Sequence, residues 1–211
     1  MTQYYPVMLD LDYKKVVIVG GGSVALQKVK SLLETKAVIN VVSPALHPSL
    51  SEFAEEGLLT WRQKCFEPGD LDGAVLSFAA TDQEDVNEEV ESAAQHWQLL
   101  NRVDGKGRRD FITPATVRKG PLIIAVSTSG ASPAVARKIS RELSSQFDHT
   151  YEDYFRFLAE SRAAIIAAFD KGDQRREALK SLLEPQILEW TREGNTAMRE
   201  AFLLNLLIGE R

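Results

Sequence analysis

Three consecutive glycines stand where a strand-like segment meets a helix-like one. Gly20–Ala25 (GGGSVA) fits the spacing G-x-G-x-x-A and follows the β-branched run Lys15–Val19. Gly20 would permit a tight turn, and Gly22 has no Cβ, so a pyrophosphate could approach the backbone N–H groups at the helix start. Ala25 would let the helix pack closely on the strand. The pattern therefore predicts a nucleotide-binding turn.

The end of the next strand lacks an acidic residue that would bind an NAD ribose. Val38–Val42 (VINVV) is followed by Ser43 and Pro44 instead of Asp or Glu. The Ser43 hydroxyl can hydrogen-bond a ribose hydroxyl, and no Arg stands beside it to favour a 2′-phosphate. The local residues therefore leave NAD and NADP both open, and a site for S-adenosylmethionine is also possible.

A basic segment is the second chemical feature. The stretch 102–141 holds nine basic residues and two acidic ones, a net charge of +7, whereas the rest of the chain carries −12. The basic residues are Arg102, Lys106, Arg108, Arg109, Arg118, Lys119, Arg137, Lys138 and Arg141. The overall charge of −5 argues against a nucleic-acid partner, but this segment is expected to meet an anion.

The composition excludes several other classes of protein. The 211 residues are 44% hydrophobic and 26% charged, as in ordinary globular domains, and Cys65 is the only cysteine, so a disulfide scaffold and a Cys-rich zinc site are excluded. The apolar runs are too short for a membrane span, and the first residues lack a signal-peptide pattern, so we expect a cytoplasmic protein. His47, His96 and His149 are far apart and show no ligand spacing, so we predict surface or capping histidines and no metal site.

Strand-like and helix-like segments alternate through the first hundred residues. The strands are predicted at Lys15–Val19, Val38–Val42, Leu58–Trp61, Ala74–Ala80 and Leu99–Val103. Helices are predicted from Ser23, over Leu46–Glu56 with Gly57 as a cap, and over Val86–Trp97. This alternation predicts an α/β fold with a parallel, Rossmann-type sheet.

The pattern changes after Val103. The polar loop Asp104–Asp110 precedes Phe111–Val117, which is interrupted at Pro114, and Leu122–Val126 is a clear strand. Ser132 and Pro133 have the types expected at a helix N-cap and first position, with the helix running to about Phe147. From Tyr151 onward the apolar spacing predicts amphipathic helices, punctuated at Gly172-Asp173 and Pro185.

Five blocks of the chain form a recognisable set: VVIVGGGSVALQKVKSLLE, NVVSP, AATDQEDVNEEV, NRVDGKGRRDFITPATV and PLIIAVSTSGASPAVARKISREL. Together they resemble precorrin-2 dehydrogenases, the NAD-dependent enzymes of sirohaem synthesis. The resemblance implies oxidation of precorrin-2 to sirohydrochlorin with NAD as cofactor. It identifies Asp104, in N-x-V-D, as the catalytic aspartate, which would accept a proton or orient the pyrrole nitrogens. The residues alone favour another interpretation, in which Asp104 caps a turn with Gly105.

The resemblance also assigns binding residues. The cofactor would contact Ser23 and Val24 after the glycines, Ser43 and Pro44, and Ala80 and Thr81. The substrate is a tetrapyrrole with eight carboxylates, for which a basic segment is suited. The expected substrate-binding residues are Arg108, Arg109, Ser127, Thr128, Ser129 and Arg137. Asn87 and Asn101 could hold loops or touch a ligand.

This sequence departs from the family pattern at three places. Arg102 replaces a usual Val and is expected to add positive charge near the cleft. Gln27 replaces a usual Arg, so an electrostatic contact there is expected to be lost, and Thr35-Lys36 replaces a capping glycine.

The expected organisation has three parts and a partner subunit. We expect a Rossmann domain over 1–113, a dimerisation segment over 114–147 and a helical domain over 148–211, in a homodimer that exchanges the middle segments. We expect no methyltransferase domain and a separate chelatase for the product. Two alternatives are a bifunctional dehydrogenase–ferrochelatase and a non-catalytic NAD-binding regulatory module.

Overall fold

The computed structural model describes residues 3–208 and divides them into two compact units. Residues 4–113 form the first unit, and residues 114–208 belong to the second. No helix among residues 3–208 is long and apolar enough to cross a membrane.

The first unit is built on a five-stranded parallel sheet. The strands are β1 (Lys15–Val19), β2 (Val38–Val42), β3 (Thr60–Arg62), β4 (Ala74–Ala79) and β5 (Leu99–Arg102), in the spatial order β3-β2-β1-β4-β5. The helices are α1 (Ser23–Leu32), α2 (Pro48–Glu55) and α3 (Glu84–Ala93), with a short 3₁₀ turn at Pro68–Leu71. The strand order reverses direction between β1 and β4, which is the point where open α/β sheets bind ligands. The predicted α/β fold is confirmed.

Apolar side chains cover both faces of this sheet. On one face Val16 and Ile18 pack with Ala25 and Val29 of α1, and on the other Val17 and Val19 pack with Val90 of α3 and with Leu100. Burial on both faces explains why β1 and β2 are rich in Val and Ile, with Lys15 and Asn40 as their only polar residues. Both strands have the predicted bounds.

Several predicted boundaries in this unit differ from the observed ones by one to four residues, and the start of α2, the start of β3 and the end of α3 have visible causes. Helix α2 starts at Pro48 and not at Leu46, because His47 is its N-cap and its Nδ1 accepts a hydrogen bond from the Ser49 N–H (3.2 Å). Gly57 takes the left-handed conformation (φ 72°) that ends the helix, and β3 begins three residues later, two residues beyond the predicted start.

Gln98 explains why α3 ends at Ala93, short of the predicted Trp97. Its side chain is 2% exposed; Oε1 accepts from the Gln95 N–H (2.9 Å). Its Nε2 donates to the carbonyl oxygens of Leu71 (2.7 Å) and Ala74 (2.8 Å). The amide therefore joins the turn after α3 to the segment that leads into β4.

The second unit begins with a two-stranded antiparallel hairpin. Strands β6 (Ala115–Lys119) and β7 (Leu122–Val126) pair with each other, and β6 begins only after Pro114, which has no N–H to donate. Helix α4 (Pro133–Gln146) packs on both strands. Ser132 is its N-cap, as predicted, with Oγ accepting from the Val135 N–H (3.3 Å).

Four further helices complete the second unit within the described residues. They are α5 (Thr150–Ala168), α6 (Asp173–Ser181), α7 (Pro185–Arg192) and α8 (Thr196–Ile208). Ile165, Ala178 and Leu182 form their buried core. The predicted interruptions of the helical region at Gly172-Asp173 and Pro185 are confirmed, because α6 begins at Asp173 and α7 at Pro185. The assignment of 114–147 to dimerisation stays a prediction.

We expect Gln98→Ala to lower the free energy of unfolding by about 3 kcal/mol, because it leaves two buried carbonyl groups and one N–H without their partner. Urea denaturation measures the change. Gln95→Ala is the matched control, since it alters an exposed side chain and keeps the backbone N–H that binds Gln98. A loss below about 1 kcal/mol for Gln98→Ala would contradict the structural role given to this amide.

Candidate functional site

The turn between β1 and α1 is held by backbone contacts that leave no room for side chains. Gly20 has φ 121°, and its N–H donates to the Val42 carbonyl (2.9 Å). A Cβ on Gly20 would overlap the Ala80 carbonyl oxygen, and one on Gly21 would overlap that of Ala45. Glycine is therefore required at both positions, including Gly21, which the motif leaves unspecified.

Gly22 differs from its two neighbours because space is open around it. A Cβ there would meet nothing within 4 Å, and its φ of −87° suits any residue. It is the N-cap of α1 and makes no side-chain cap bond, so the first N–H groups of the helix face the open space. A phosphate group fits this arrangement, because it can approach the backbone closely and lie at the positive end of the helix dipole.

A cleft of about 660 Å³ lies over this turn, beside the ends of β1, β2 and β4. All eight residues predicted to bind a cofactor line it: Gly20, Gly22, Ser23, Val24, Ser43, Pro44, Ala80 and Thr81. Asp82, on the same loop as Ala80 and Thr81, also lines the cleft, and the prediction missed further lining residues: Gly21, Ala45, Leu46, His47, Cys65, Phe66, Gln83, Val86 and Val103. Cys65 and Phe66 lie on the loop after β3, and no sequence pattern indicated that this loop turns toward the cleft.

Ser43 holds the loop at the β2 end of the cleft. Its Oγ donates to the Ala45 carbonyl (2.7 Å), and the Trp61 Nε1 donates to the Ser43 carbonyl (2.9 Å). Its expected contact with a ribose stays a prediction. Among the described residues, no Lys or Arg lines the cleft, so a 2′-phosphate would have no cationic partner there.

Asn87 connects the cleft to Asp104. This buried side chain accepts from the Thr81 N–H (Oδ1, 3.3 Å) and donates from Nδ2 to the Thr81 carbonyl (3.1 Å). The same Nδ2 lies within hydrogen-bond distance of Asp104 Oδ2 (3.2 Å). One α3 residue thus fixes both the loop that lines the cleft and the carboxylate beside it. Asn101 instead holds a loop, donating to the Phe111 carbonyl (2.6 Å).

Arg102 lies between two carboxylates. Its side chain is 4% exposed; Nη1 donates to Glu91 Oε2 (2.7 Å) and Nη2 to Asp104 Oδ2 (2.8 Å). The expectation that Arg102 adds positive charge to the cleft is wrong, because both carboxylates neutralise it within the fold.

Asp104 is held as a carboxylate by four donors. Arg102 Nε (3.3 Å) and the Lys106 N–H (3.1 Å) donate to Oδ1, and Arg102 Nη2 and Asn87 Nδ2 donate to Oδ2. Hydrogen bonding from Arg102 is the main cause that lowers the pKa of Asp104 to about 2. The bond from Lys106 also closes the turn at Gly105 (φ 77°), so the side chain has the capping geometry as well.

Arg108 and Arg109 are adjacent in sequence, but their side chains have different surroundings. Arg108 Nη2 donates to the carbonyls of Gln98 (2.7 Å) and His96 (3.3 Å), and Nε donates to Asp110 (3.1 Å). Arg109 is exposed, and within residues 3–208 it forms no salt bridge. The substrate role of Arg108 stays a prediction, and the structure gives that residue a cross-linking role.

The remaining predicted substrate residues lie in the second unit. In the turn before α4, Ser127 Oγ accepts from the Ser129 N–H (3.0 Å), and Thr128 Oγ1 accepts from the Ser132 N–H (3.0 Å). Ser129 has φ 52°, a left-handed conformation that is rare outside glycine. Arg137 lines a pocket of about 500 Å³ between α4 and β6. Contact of these residues with a substrate stays a prediction.

The three histidines lie at separate places, as expected from their spacing. His47 caps α2, and His96 and His149 are exposed. Within residues 3–208, no three His, Cys, Asp or Glu side chains form a group that could hold a metal ion.

Comparisons with known proteins agree with this geometry. Residues 7–115 match a family model described as "Putative NAD(P)-binding", and residues 119–146 match one described as "Sirohaem biosynthesis protein central". The siroheme synthase of Methylobacillus flagellatus is 36% identical over 90% of this chain, which spans 42% of that protein. The chain spans less than half the length of several such relatives.

Two further relatives match along nearly their whole length. The precorrin-2 dehydrogenase of Priestia megaterium is 32% identical, over 86% of this chain and 90% of that protein. A solved structure of "SirC, precorrin-2 dehydrogenase" superposes with a TM-score of 0.81 at 30% identity, covering 96% of this chain and 98% of the other. The family resemblance inferred from the five sequence blocks is confirmed: the chain belongs to the precorrin-2 dehydrogenase family.

Proposed function

We propose that the chain catalyses the NAD-dependent oxidation of precorrin-2 to sirohydrochlorin. The observation that carries the proposal is the hydrogen-bonded connection from the cofactor cleft through Thr81 and Asn87 to Asp104. It places one ionised carboxylate beside the cleft, at the carboxyl edge of the sheet where this fold binds its ligands. The family to which the chain belongs supports the same reaction.

The cleft residues would hold the dinucleotide. The N–H groups at the start of α1 would bind the pyrophosphate across Gly22, and the loops at Ser43 and Thr81 would flank the two nucleosides. We propose NAD rather than NADP, because the described lining offers no cation to a 2′-phosphate. When bound, NAD⁺ supplies the acceptor for the hydride that leaves the tetrapyrrole.

The Asp104 carboxylate would stabilise positive charge. With a pKa of about 2 it is a poor proton acceptor at neutral pH, and its four lone-pair positions are already occupied by four donors. Loss of a hydride leaves the tetrapyrrole more positive, and a fixed carboxylate nearby lowers the energy of that change. Of the two roles inferred from the resemblance, electrostatic orientation therefore agrees better with the geometry, and the released proton would leave to solvent.

The partners and location form a second part of the proposal. We propose a cytoplasmic homodimer that passes its product to a separate chelatase. Val135 and Ile139 lie one turn apart on α4 and are 46% and 37% exposed, which supports a partner on this helix. Sedimentation velocity would test the dimer, and an active monomer would overturn it.

We expect Asp104→Asn to lower kcat for NADH formation from precorrin-2 by about 100-fold or more, because the substituted amide carries no charge. The dissociation constant for NAD⁺ should stay within about twofold of the unmodified protein's. Glu88→Gln, at an exposed position on α3, is the control for removing one acidic charge. Absence of NADH from the unmodified protein would overturn the proposed function, and full activity of Asp104→Asn would overturn the role of the carboxylate.

We expect Gly22→Ala to leave the unliganded protein as stable as before and to weaken NAD⁺ binding by about 10-fold or more, since the new methyl group would meet only the phosphate. Thermal unfolding and calorimetric titration measure the two effects. Gly21→Ala gives the contrast, because its methyl group overlaps the Ala45 carbonyl and should destabilise the protein as well. Unchanged NAD⁺ affinity in Gly22→Ala would place the pyrophosphate elsewhere.

We expect Arg102→Met to raise the pKa of Asp104 from about 2 to its ordinary 3.8 or above, because two hydrogen bonds are lost and Glu91 becomes an unpaired neighbour. Carbon-13 NMR titration of the carboxyl groups measures this directly. In the unmodified protein the lowered pKa of Asp104 stabilises the fold above pH 3.8, and this stabilisation is lost as the pH falls through 2. In Arg102→Lys the pKa of Asp104 should lie between its values in the unmodified protein and in Arg102→Met. An unchanged pKa of Asp104 in Arg102→Met would contradict its pairing with Arg102.

A further inference from the structure

A lysine ammonium is held in a partly apolar site on the α1 side of the sheet. Lys28 is half-buried, and its Nζ donates to Thr113 Oγ1 (3.1 Å) and lies 5.4 Å from the centre of the Phe78 ring. Phe111 packs edge-on against the same ring, with centroids 5.3 Å apart. Side chains on a helix lean toward its N-terminus, so this ammonium is displaced toward the carboxyl edge of the sheet, where the cleft opens.

Arg109 lies on the same side of the sheet. It pairs antiparallel with Asn101, and Asn101 is in register with Phe78 on β4. Residues paired directly across adjacent strands point to the same face, which here is the face occupied by Lys28. Burial lowers the pKa of Lys28, and Coulomb repulsion from Arg109 lowers it further, which agrees with this proximity.

The Arg109 guanidinium also reaches the loop that carries Asp104. Its Nη2 lies 3.4 Å from the position that a Cβ on Gly105 would take. Gly105 directly follows Asp104 in the chain. A group bound between the two cations would therefore lie against the loop that holds the carboxylate.

Lys28 and Arg109 differ from the basic residues nearby in the first unit that are paired with carboxylates. Arg102, Lys106 and Arg108 each pair with a carboxylate, whereas within residues 3–208 neither Lys28 nor Arg109 forms a salt bridge. Two like charges held together in a partly apolar place oppose each other, and an anion bound between them removes that cost.

We propose that Lys28 and Arg109 bind one carboxylate of the tetrapyrrole substrate, and thereby fix how the macrocycle lies over Asp104. This inference rests on the proposed function, because the substrate class comes from there. A phosphate of the cofactor is a poorer candidate for the same site, since neither residue lines the cofactor cleft. Lys28 is a residue that the charge count of the segment 102–141 does not include.

The test is equilibrium binding of sirohydrochlorin, followed by fluorescence without NAD⁺, to Lys28→Gln, Arg109→Gln and the double variant. Each single change should raise the dissociation constant about 10-fold or more, because one charge-assisted hydrogen bond to the carboxylate is lost. The double variant should lose less than the product of the two single effects, because both residues bind the same group. Lys30→Gln, at an exposed position on the same helix, is the charge-matched control and should bind as the unmodified protein does.

Thermal unfolding of the unliganded protein separates ligand binding from a structural role. Lys28→Gln should leave Tm close to that of the unmodified protein, since the removal of one of two repelling charges offsets the lost hydrogen bond to Thr113, and a clear fall in Tm would overturn the proposal. Dissociation constants of both single variants within twofold of the unmodified protein's, or losses that multiply in the double variant, would also overturn it.

NADH formation distinguishes this failure from failure of the proposed function. If the unmodified protein oxidises precorrin-2 and the two variants bind normally, only the carboxylate site is wrong. If the unmodified protein neither forms NADH nor binds sirohydrochlorin, both proposals are overturned.

Discussion

The first unit depends on the close approach of backbone at the turn after β1. Gly20 and Gly21 lie so near the carbonyl oxygens of Ala80 and Ala45 that neither position has room for a Cβ. This contact brings the loops after β2 and β4 against the start of α1 and so forms the cleft. A side chain at either glycine would push one of these loops away, and the cleft would lose a wall.

The same contact determines where Asp104 lies. Once the loop after β4 is seated on the glycine turn, Thr81 has a fixed position, and Asn87 binds its backbone through both a donor and an acceptor. The remaining contact of that amide goes to Asp104. The loop after β4, which lines the cleft, and the Asp104 carboxylate are therefore positioned by one continuous set of hydrogen bonds.

The number of charged residues along the chain did not show which of them form ion pairs in the folded protein. The basic segment was expected to meet an anion, yet Arg102, Lys106 and Arg108 are each paired with a carboxylate in the first unit. Pairing across the fold depends on which face of a strand each side chain takes, and a count of charges along the chain does not contain that information.

The elements that the sequence predicted best are those whose signal is local and repeated. Strands β1, β2 and β7 have the predicted bounds, because each is a short run rich in Val, Ile or Leu, and Ser132-Pro133 is a helix start recognisable from two residues. The end of α3 could not be predicted, because it depends on Gln98 bonding to carbonyls more than twenty residues away. The same holds for the site: all eight predicted cofactor residues line the cleft, whereas Cys65 and Phe66 reach it only through the path of a loop.

The cluster of Glu91, Arg102 and Asp104 contributes to the electric field that a bound ligand meets. Two carboxylates and one guanidinium add to a formal charge of −1, which is the charge that Asp104 would carry if Val stood at position 102 and Glu91 were absent. The arginine therefore changes how firmly the carboxylate is held, and the electrostatic sign presented to a ligand stays the same. Compared with a lone aspartate, the cluster gains rigidity without losing its attraction for a cation.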